Sequence, residues 1–134
     1  FSHMFLLNGK STSSYTGLFM PLVFEACHNT GISISKVIRG RCFLQTPGTR
    51  INEYDSMHVD LGDPHMVCLY YATDSDGDTY FSERMYGDPI AEYPINSTVS
   101  PVKGRCVFFD GLRFHASSRP TEKPRFVINF NFIP

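Results

Sequence analysis

The chain lacks a long apolar run, a strong net charge and closely spaced cysteines. No apolar stretch approaches the roughly 20 residues that a membrane-spanning helix needs, so no membrane span is predicted. Twelve Lys and Arg nearly balance thirteen Asp and Glu, which leaves a formal net charge of −1. This balance gives no electrostatic reason to expect nucleic acid or an anionic membrane as a partner.

The four cysteines do not form a C-x-x-C pair, which excludes a zinc knuckle or a thioredoxin-type motif. Cys42, Cys68 and Cys106 each lie within an apolar run, which favours buried, reduced thiols. No signal peptide is visible in the sequence. The expected location is therefore the reducing cytoplasm.

Aromatic and turn-forming residues are abundant. Twelve Phe and seven Tyr suit a β-rich fold, and ten Gly with nine Pro imply many turns. A length of 134 residues indicates one structural domain. Within it, we expect an N-terminal segment and helix over residues 1–33 and a β core over residues 34–134.

Helical spacing is confined to the N-terminal part of the chain. Apolar residues recur at positions 15, 18, 19, 22, 23, 26 and 27, which predicts a helix that covers a sheet. Pro21 is expected in the first turn of this helix, with Asn29 and Gly31 at its end. Residues 1–14 are predicted to be loosely held.

After Gly31 the pattern changes to short strands separated by turns. About eight short strands in roughly 100 residues favour a jelly roll, that is, a double-stranded β-helix. Strands are predicted over residues 34–45, 66–73, 79–82, 105–110, 113–117 and 125–133.

The last predicted strand has two unlike faces. One face carries only large apolar residues: Phe126, Ile128, Phe130 and Phe132. The other face is mixed: Arg125, Val127, Asn129 and Asn131. We expect the apolar face beneath the helix. The mixed face could contact solvent or line a polar cavity, and a helix-covered sheet in a sandwich favours the cavity.

Three residues suggest a metal site. His58 and Asp60 are two positions apart, so their side chains project to the same side of an extended chain. His115 lies in another predicted strand and can supply a third ligand. Two imidazoles and one carboxylate form the facial triad of non-haem iron(II) oxygenases, which leaves coordination positions open. An H-x-D pair alone is weak evidence, and His28 and His65 are interpreted as structural.

Arg125 follows His115 by ten residues and strengthens this interpretation. A chelating co-substrate such as 2-oxoglutarate has a distal carboxylate, and an Arg can bind it through two parallel hydrogen bonds. Tyr70 or Tyr71 could donate a further hydrogen bond. The two tyrosines point to opposite faces of the strand, and the pattern does not select between them.

Several motifs, in this order, resemble the 2-oxoglutarate/iron(II) dioxygenase superfamily. The similarity covers about residues 34–134 and is greatest to the prolyl-4-hydroxylase-like branch with its short bacterial and phage members. The motifs are His58-Val-Asp60, Cys68-Leu-Tyr-Tyr71, Gly77-Asp-Thr79, Lys103-Gly-Arg-Cys-Val-Phe-Phe-Asp110, His115 and Arg125.

The resemblance implies a role for each matching position. Iron(II) would be bound by His58, Asp60 and His115, and the C5 carboxylate of 2-oxoglutarate by Arg125. Tyr71 would donate to the same carboxylate, while Ser117 and Asn129 would line the pocket. The implied reaction uses O2 and couples oxidative decarboxylation of 2-oxoglutarate to hydroxylation of a small-molecule or peptide substrate, with a prolyl, peptidyl or free amino acid as the first expectation. Asp60 argues against halogenation, because related halogenases have a small residue there.

Two other functions stay open on the sequence alone. One is a non-catalytic jelly-roll binding module, and the other is a cupin-like metal-dependent hydrolase or isomerase, since His and Asp also bind zinc or manganese. Residues 83–100 could form a loop over the site or an ordinary connection. Four arginines could contact an acidic substrate or lie on solvated strand faces: Arg39, Arg41, Arg84 and Arg113.

Overall fold

The computed structural model describes residues 1–89 and 91–134, which form two antiparallel sheets and one helix. The helix α1 spans Thr16–Thr30. The strands are β1 (Ser2–Leu7), β2 (Lys10–Ser11), β3 (Lys36–Gln45), β4 (Met66–Tyr71), β5 (Thr79–Met85), β6 (Ile95–Val99), β7 (Cys106–Asp110), β8 (Arg113–Ser117) and β9 (Arg125–Ile133). One sheet has the order β2-β1-β3-β9-β4-β7 and the other β6-β5-β8. This is the predicted jelly roll.

Helix α1 covers the outer face of the larger sheet, as predicted. Val23 and Cys27 are buried with Phe130 and Phe132 of β9 in one apolar cluster. Gly31 ends the helix in the left-handed region, with φ of 71°, a conformation that costs glycine little. Pro21 lies inside the helix rather than in its first turn, so that prediction is wrong. The helix begins at Thr16, where the Thr16 hydroxyl donates to the Ser13 carbonyl oxygen.

The N-terminal residues 1–14 are ordered, which corrects the prediction that they are loosely held. Strand β1 pairs antiparallel with β3 and so adds a further strand to the larger sheet. Phe5 is fully buried, and its ring fills the space beside Gly40, where a Cβ atom would collide with Phe5 Cε2. Burial of such a side chain stabilises the folded state by about 1.5–3 kcal/mol. This contribution favours an ordered β1 although the sequence that follows it is polar.

The segment 83–100 is built in part into the smaller sheet, through residues 83–85 and 95–99. Strand β5 continues to Met85, and β6 pairs antiparallel with it through Thr79–Val99 and three further residue pairs. Within the segment, Ile95–Val99 is therefore a strand and not a loop, because backbone hydrogen bonds pair it with β5. Residue 90 of that segment lies outside the described residues.

The expectation that the cysteines are buried, reduced thiols is met only in part. Cys27 and Cys68 are buried, whereas Cys42 and Cys106 are half-buried, and all four thiols are free. Across residues 1–89 and 91–134, no helix has both the length and the apolarity to cross a bilayer.

Candidate active site

A cavity of about 490 Å3 opens between the two sheets. Its apolar wall belongs to a cluster that includes Leu69, Phe109 and Val127. Polar side chains line the cavity at both ends. The mixed face of β9 points into it through Arg125 and Asn129, as the alternation of that strand predicts.

One end of the cavity contains the His-Asp-His group. A ligand atom from each of His58, Asp60 and His115 lies within 4.8 Å of the other two. His58 and His115 are opposed in an antiparallel bridge, and the amide N of each donates to the carbonyl O of the other at 3.0 Å. The backbone bridge therefore fixes the two imidazoles side by side, with ring centroids 4.7 Å apart.

The same local contact orients both imidazoles. Nδ1 of His58 lies 3.1 Å from the Ser56 carbonyl oxygen, and Nδ1 of His115 lies 3.0 Å from the Arg113 carbonyl oxygen. A carbonyl only accepts, so each Nδ1 carries the hydrogen, and in the neutral imidazole the lone pair is then on Nε2. Burial lowers the pKa of His115, which favours the neutral imidazole that a metal ligand requires.

Asp60 is held by donors on both carboxylate oxygens. The amide nitrogens of Asn129 and Asn131 donate to Oδ2 at 2.8 and 2.9 Å. Oδ1 accepts from Arg39 at 3.0 Å and from Arg41 at 3.4 Å. Burial raises the pKa of this carboxyl, but the hydrogen bonds from the two asparagines help to hold it below its ordinary value. The carboxylate is therefore ionised and fixed in position.

Arg125 occupies the other end of the cavity and is 5% exposed. Its Nε donates to the Gly77 carbonyl oxygen at 2.9 Å, Nη1 to Gln45 Oε1 at 3.1 Å and Nη2 to Thr79 Oγ1 at 2.9 Å. These partners are neutral, and the ion pairs found among the described residues do not include Arg125. Two of its five N–H groups stay available. Burial lowers the pKa of Arg125, but a guanidinium stays protonated in proteins.

Tyr71 reaches this end of the cavity only through Thr79. Its hydroxyl donates to Thr79 Oγ1 at 2.8 Å, and its side chain is fully buried. Thr79 Oγ1 also accepts from Arg125, so both lone pairs of this oxygen are used and its hydrogen is free to donate. Thr79 lines the cavity, whereas Tyr71 stands behind it.

The other two predicted pocket residues both lie at the cavity wall. Asn129 donates to Asp60, and the Ser117 hydroxyl donates to Asp55 Oδ2 at 3.2 Å while accepting from Gln45 at 3.3 Å. Ser117 thus connects Gln45 to Asp55 and contacts neither Arg125 nor Asp60 through these bonds.

Sequence reasoning did not assign site roles to Gln45, Thr79 or Asn131. Gln45 pairs with Arg125 in the β3–β9 register, and Arg39 pairs with Asn131. The period of two along β3 places Gln45 on the same face as Arg41, which is the pattern that could have identified it. Thr79 belongs to the Gly77-Asp-Thr79 motif of the family resemblance, but nothing in the surrounding sequence indicates that its side chain has a role in the site.

No protein-family model matches the chain, and no curated protein matches it in sequence. Solved structures do match in fold. A prolyl-4-hydroxylase of Pseudomonas putida is 14% identical with a TM-score of 0.57, over 99% of this chain and 68% of that one. An oxidoreductase of the 2OG-Fe(II) oxygenase family from Burkholderia pseudomallei is 10% identical with a TM-score of 0.69, over 98% and 65%.

A third similar structure is a viral collagen prolyl hydroxylase from Paramecium bursaria chlorella virus 1, in complex with 2OG. It is 13% identical with a TM-score of 0.59, and the match covers 99% of this chain and 79% of that one. The chain thus spans about two thirds of the length of the first two structures. At these identities the likeness establishes the shared fold.

Proposed function

We propose that this protein is an iron(II)- and 2-oxoglutarate-dependent oxygenase that hydroxylates its substrate. The single observation that carries the proposal is the arrangement of one cavity. It has the His58, Asp60 and His115 group at one end and a buried guanidinium, Arg125, paired only with neutral groups at the other.

The donor set fits the proposed metal. Two neutral imidazoles and one carboxylate form a ligand set that suits iron(II). Three protein ligands leave coordination positions of the metal open for further donors. The Nδ1–carbonyl contacts of His58 and His115 are of the kind that orients metal-bound imidazoles in other proteins. Asp60 keeps its charge through the asparagine hydrogen bonds.

The Arg125 end fits a dicarboxylate. A buried cation without a charged partner is costly, and binding of an anion removes that cost. Arg125 and Asn129 are four residues apart on β9, which is about 13 Å at roughly 3.3 Å per residue. Asn129 contacts Asp60, so this distance separates Asp60 from the backbone of Arg125 along β9. A 2-oxoglutarate molecule and the long Arg125 side chain can together span it.

The residues of this chain would divide the work as follows. His58, Asp60 and His115 would hold the metal, and Arg125 with the free Thr79 hydroxyl would bind and orient the distal carboxylate. Leu69, Phe109 and Val127 exclude water from that wall of the cavity. When bound, the iron and 2-oxoglutarate supply the oxidising chemistry, in which O2 is consumed and succinate and carbon dioxide are released.

The substrate belongs to the proposal as well. Two of the similar structures are named prolyl hydroxylases, which supports an amino acid or a peptide as the first class to test. A hydrolase offers a poorer account of the site, because water as co-substrate needs no buried cation at the far end of the cavity.

Succinate release from 2-oxoglutarate tests this function. Purified protein with iron(II) and O2 should release succinate, and a screen of amino acids and peptides should find compounds that accelerate the release. His58→Ala should abolish it, while Lys103→Gln, an exposed position outside the cavity lining, should behave as wild type. Succinate release that persists in His58→Ala at wild-type rate would exclude the proposed metal site.

A further inference from the structure

Arg41 is a cation on the cavity wall with few partners of its own. Its Nη2 lies 3.4 Å from Asp60 Oδ1, and its Nε is buried without a hydrogen-bond partner among the described residues. The guanidinium carbon lies 4.8 Å from the ring centroid of Phe43, a distance at which a cation is attracted to the ring face. The side chain is 27% exposed, so a ligand can reach it.

The neighbouring Arg39 is different because its contacts occupy it. It donates to Asn131 Oδ1 at 2.9 Å through Nε and to the Asp60 carbonyl oxygen at 3.2 Å through Nη2. It also pairs with Asp60 Oδ1 at 3.0 Å and is 12% exposed. Arg39 therefore positions Asp60, whereas Arg41 has donors to spare.

A metal at Asp60 would compete with Arg41. Oδ2 already accepts from two asparagine amides, and Oδ1 from two guanidinium groups. To bind a metal, a carboxylate oxygen of Asp60 must have a lone pair free, so one of these four hydrogen-bond donors has to move away. The Arg41 contact is the longest of the four and the weakest in geometry.

The charges of the filled site leave Arg41 unneutralised. The two positive charges of the metal would be balanced by Asp60 and one carboxylate of 2-oxoglutarate. Arg125 would be balanced by the other carboxylate. Arg41 then remains as an unbalanced positive charge on the cavity wall, with Arg39 behind it.

We infer that the substrate carries an oxyanion, a carboxylate or a phosphate, which Arg41 binds beside the metal. This inference rests on the proposed function, since the metal and 2-oxoglutarate are what leave Arg41 free. A guanidinium fork matches both oxyanions in a bidentate geometry.

The register of the sheet sets where the oxyanion lies. Arg41 pairs with Asn129 across β3 and β9, and Asn129 contacts Asp60. The oxyanion is therefore at the level of the metal and not at the Arg125 end. A free amino acid or another organic acid supplies such a group close to its reactive carbon, whereas an internal residue of a peptide does not.

Acetate and inorganic phosphate are the probes for this site. Mn(II) replaces iron(II), and each sample contains saturating Mn(II) and 2-oxoglutarate without O2. Broadening of the acetate methyl proton line and of the phosphate phosphorus line by the paramagnetic metal reports anion binding near it. Wild type should broaden at least one of the two lines more than free Mn(II) at the same unbound concentration does.

Arg41→Gln should weaken this binding by about tenfold or more, as expected for a lost charge-assisted hydrogen bond. Arg41→Lys should retain part of it, because the charge stays and the fork is lost. Lys103→Gln, which removes one distant positive charge, should bind as wild type. Which of the two lines responds distinguishes a carboxylate site from a phosphate site.

Three results would overturn the inference: no broadening of either line, equal broadening in Arg41→Gln, or equal loss in Lys103→Gln. Equal broadening in Arg41→Gln would mean that the anion coordinates the metal directly. Failure of the proposed function has a separate readout, because wild type would then fail to bind Mn(II) and 2-oxoglutarate before any probe is added.

The substrate screen gives an independent check. Acids and their amides, such as proline and prolinamide, differ by one negative charge at nearly equal shape. The acids should accelerate succinate release and the amides should not. Acceleration by amides alone would contradict the inference and leave the oxygenase proposal intact.

Discussion

His58 and His115 are joined by two backbone hydrogen bonds of 3.0 Å, although 56 residues of chain lie between them. The bridge places the His58 segment at the edge of the smaller sheet, beside β8. Since each imidazole also contacts the carbonyl two residues before it, contacts with the backbone help to orient both Nε2 atoms. The fold itself thus brings the His-Asp-His group together.

Removal of one imidazole should abolish metal binding with little loss of fold. In His115→Ala, two ligands remain, which cannot complete the facial set. We expect a substoichiometric iron or Mn(II) content after dialysis, against one equivalent in wild type. His28→Ala, at an exposed position on α1, is the matched control and should bind one equivalent. One equivalent in His115→Ala would contradict the assignment.

Loss of the Asn131 amide should weaken metal binding through Asp60. Asn131→Ala removes one hydrogen bond to Oδ2 and the partner of Arg39 Nε. The pKa of Asp60 should rise toward its ordinary value, because this hydrogen bond helps to lower it. Metal affinity should fall about 10–100-fold, as for other residues that orient metal ligands, measured by Mn(II) titration. Unchanged affinity, with unchanged stability, would show that Asn131 does not position Asp60.

Gly77 leaves the space that Arg125 needs. A Cβ atom at this position would lie 2.8 Å from the Ser118 carbonyl oxygen and 3.1 Å from Arg125 Cδ. Gly77→Ala should therefore displace Arg125 and raise the Kd for 2-oxoglutarate while leaving metal content unchanged. Gly17→Ala, where no atom lies within 4 Å of the added Cβ, should leave this Kd unchanged. Calorimetry on Mn(II)-loaded protein measures both.

Asp76 should make the stability of the protein sensitive to acid. It accepts hydrogen bonds from the Thr121 hydroxyl and from the backbone N–H groups of Thr121, Glu122 and Lys123, which lower its pKa well below the ordinary value. A depressed pKa gives stability that is present above the unfolded-state value, about 3.9, and is lost as pH falls below it.

Asp76→Asn should therefore unfold at a lower denaturant concentration than wild type at pH 7. The difference should shrink between about pH 4 and pH 2, because the unfolded wild-type chain then takes up a proton at Asp76 that the folded chain does not, which favours unfolding of wild type. Urea unfolding at several pH values measures this. Asp63→Asn, for which no hydrogen bond to the carboxylate is present among the described residues, should show no such convergence. A constant difference for Asp76→Asn across this range would contradict the assignment.

Local patterns predict much of the fold. Strict alternation predicts β9 with the bounds Arg125–Ile133, and β8 with the bounds Arg113–Ser117. Strand β1 is not predicted, because the burial of Phe5 depends on the missing side chain of Gly40, 35 positions away. A short polar-flanked segment carries no local sign of such a distant contact.

In the candidate site, too, local sequence patterns predict some residues, whereas others depend on contacts between distant strands. Spacing brings His58 and Asp60 together, other predicted strands offer His115 and Arg125, and the resemblance gives each of the four residues a role. The face on which Tyr71 lies follows from the pairing of β4 with β9, which parity within one strand cannot specify. The contacts of Thr79 and Asn131 depend on side chains from other strands, so one strand alone does not reveal them.

The most direct test of the central claim is the binding of 2-oxoglutarate to iron(II)-loaded protein without O2, followed by visible absorption. Wild type should develop a weak charge-transfer absorption on addition of 2-oxoglutarate. Arg125→Gln should need on the order of 30-fold more 2-oxoglutarate or beyond, since loss of one partner of a buried charge pair costs about 2–5 kcal/mol. Absence of the absorption in fully iron-loaded wild type, or equal titration of Arg125→Gln, would contradict the account.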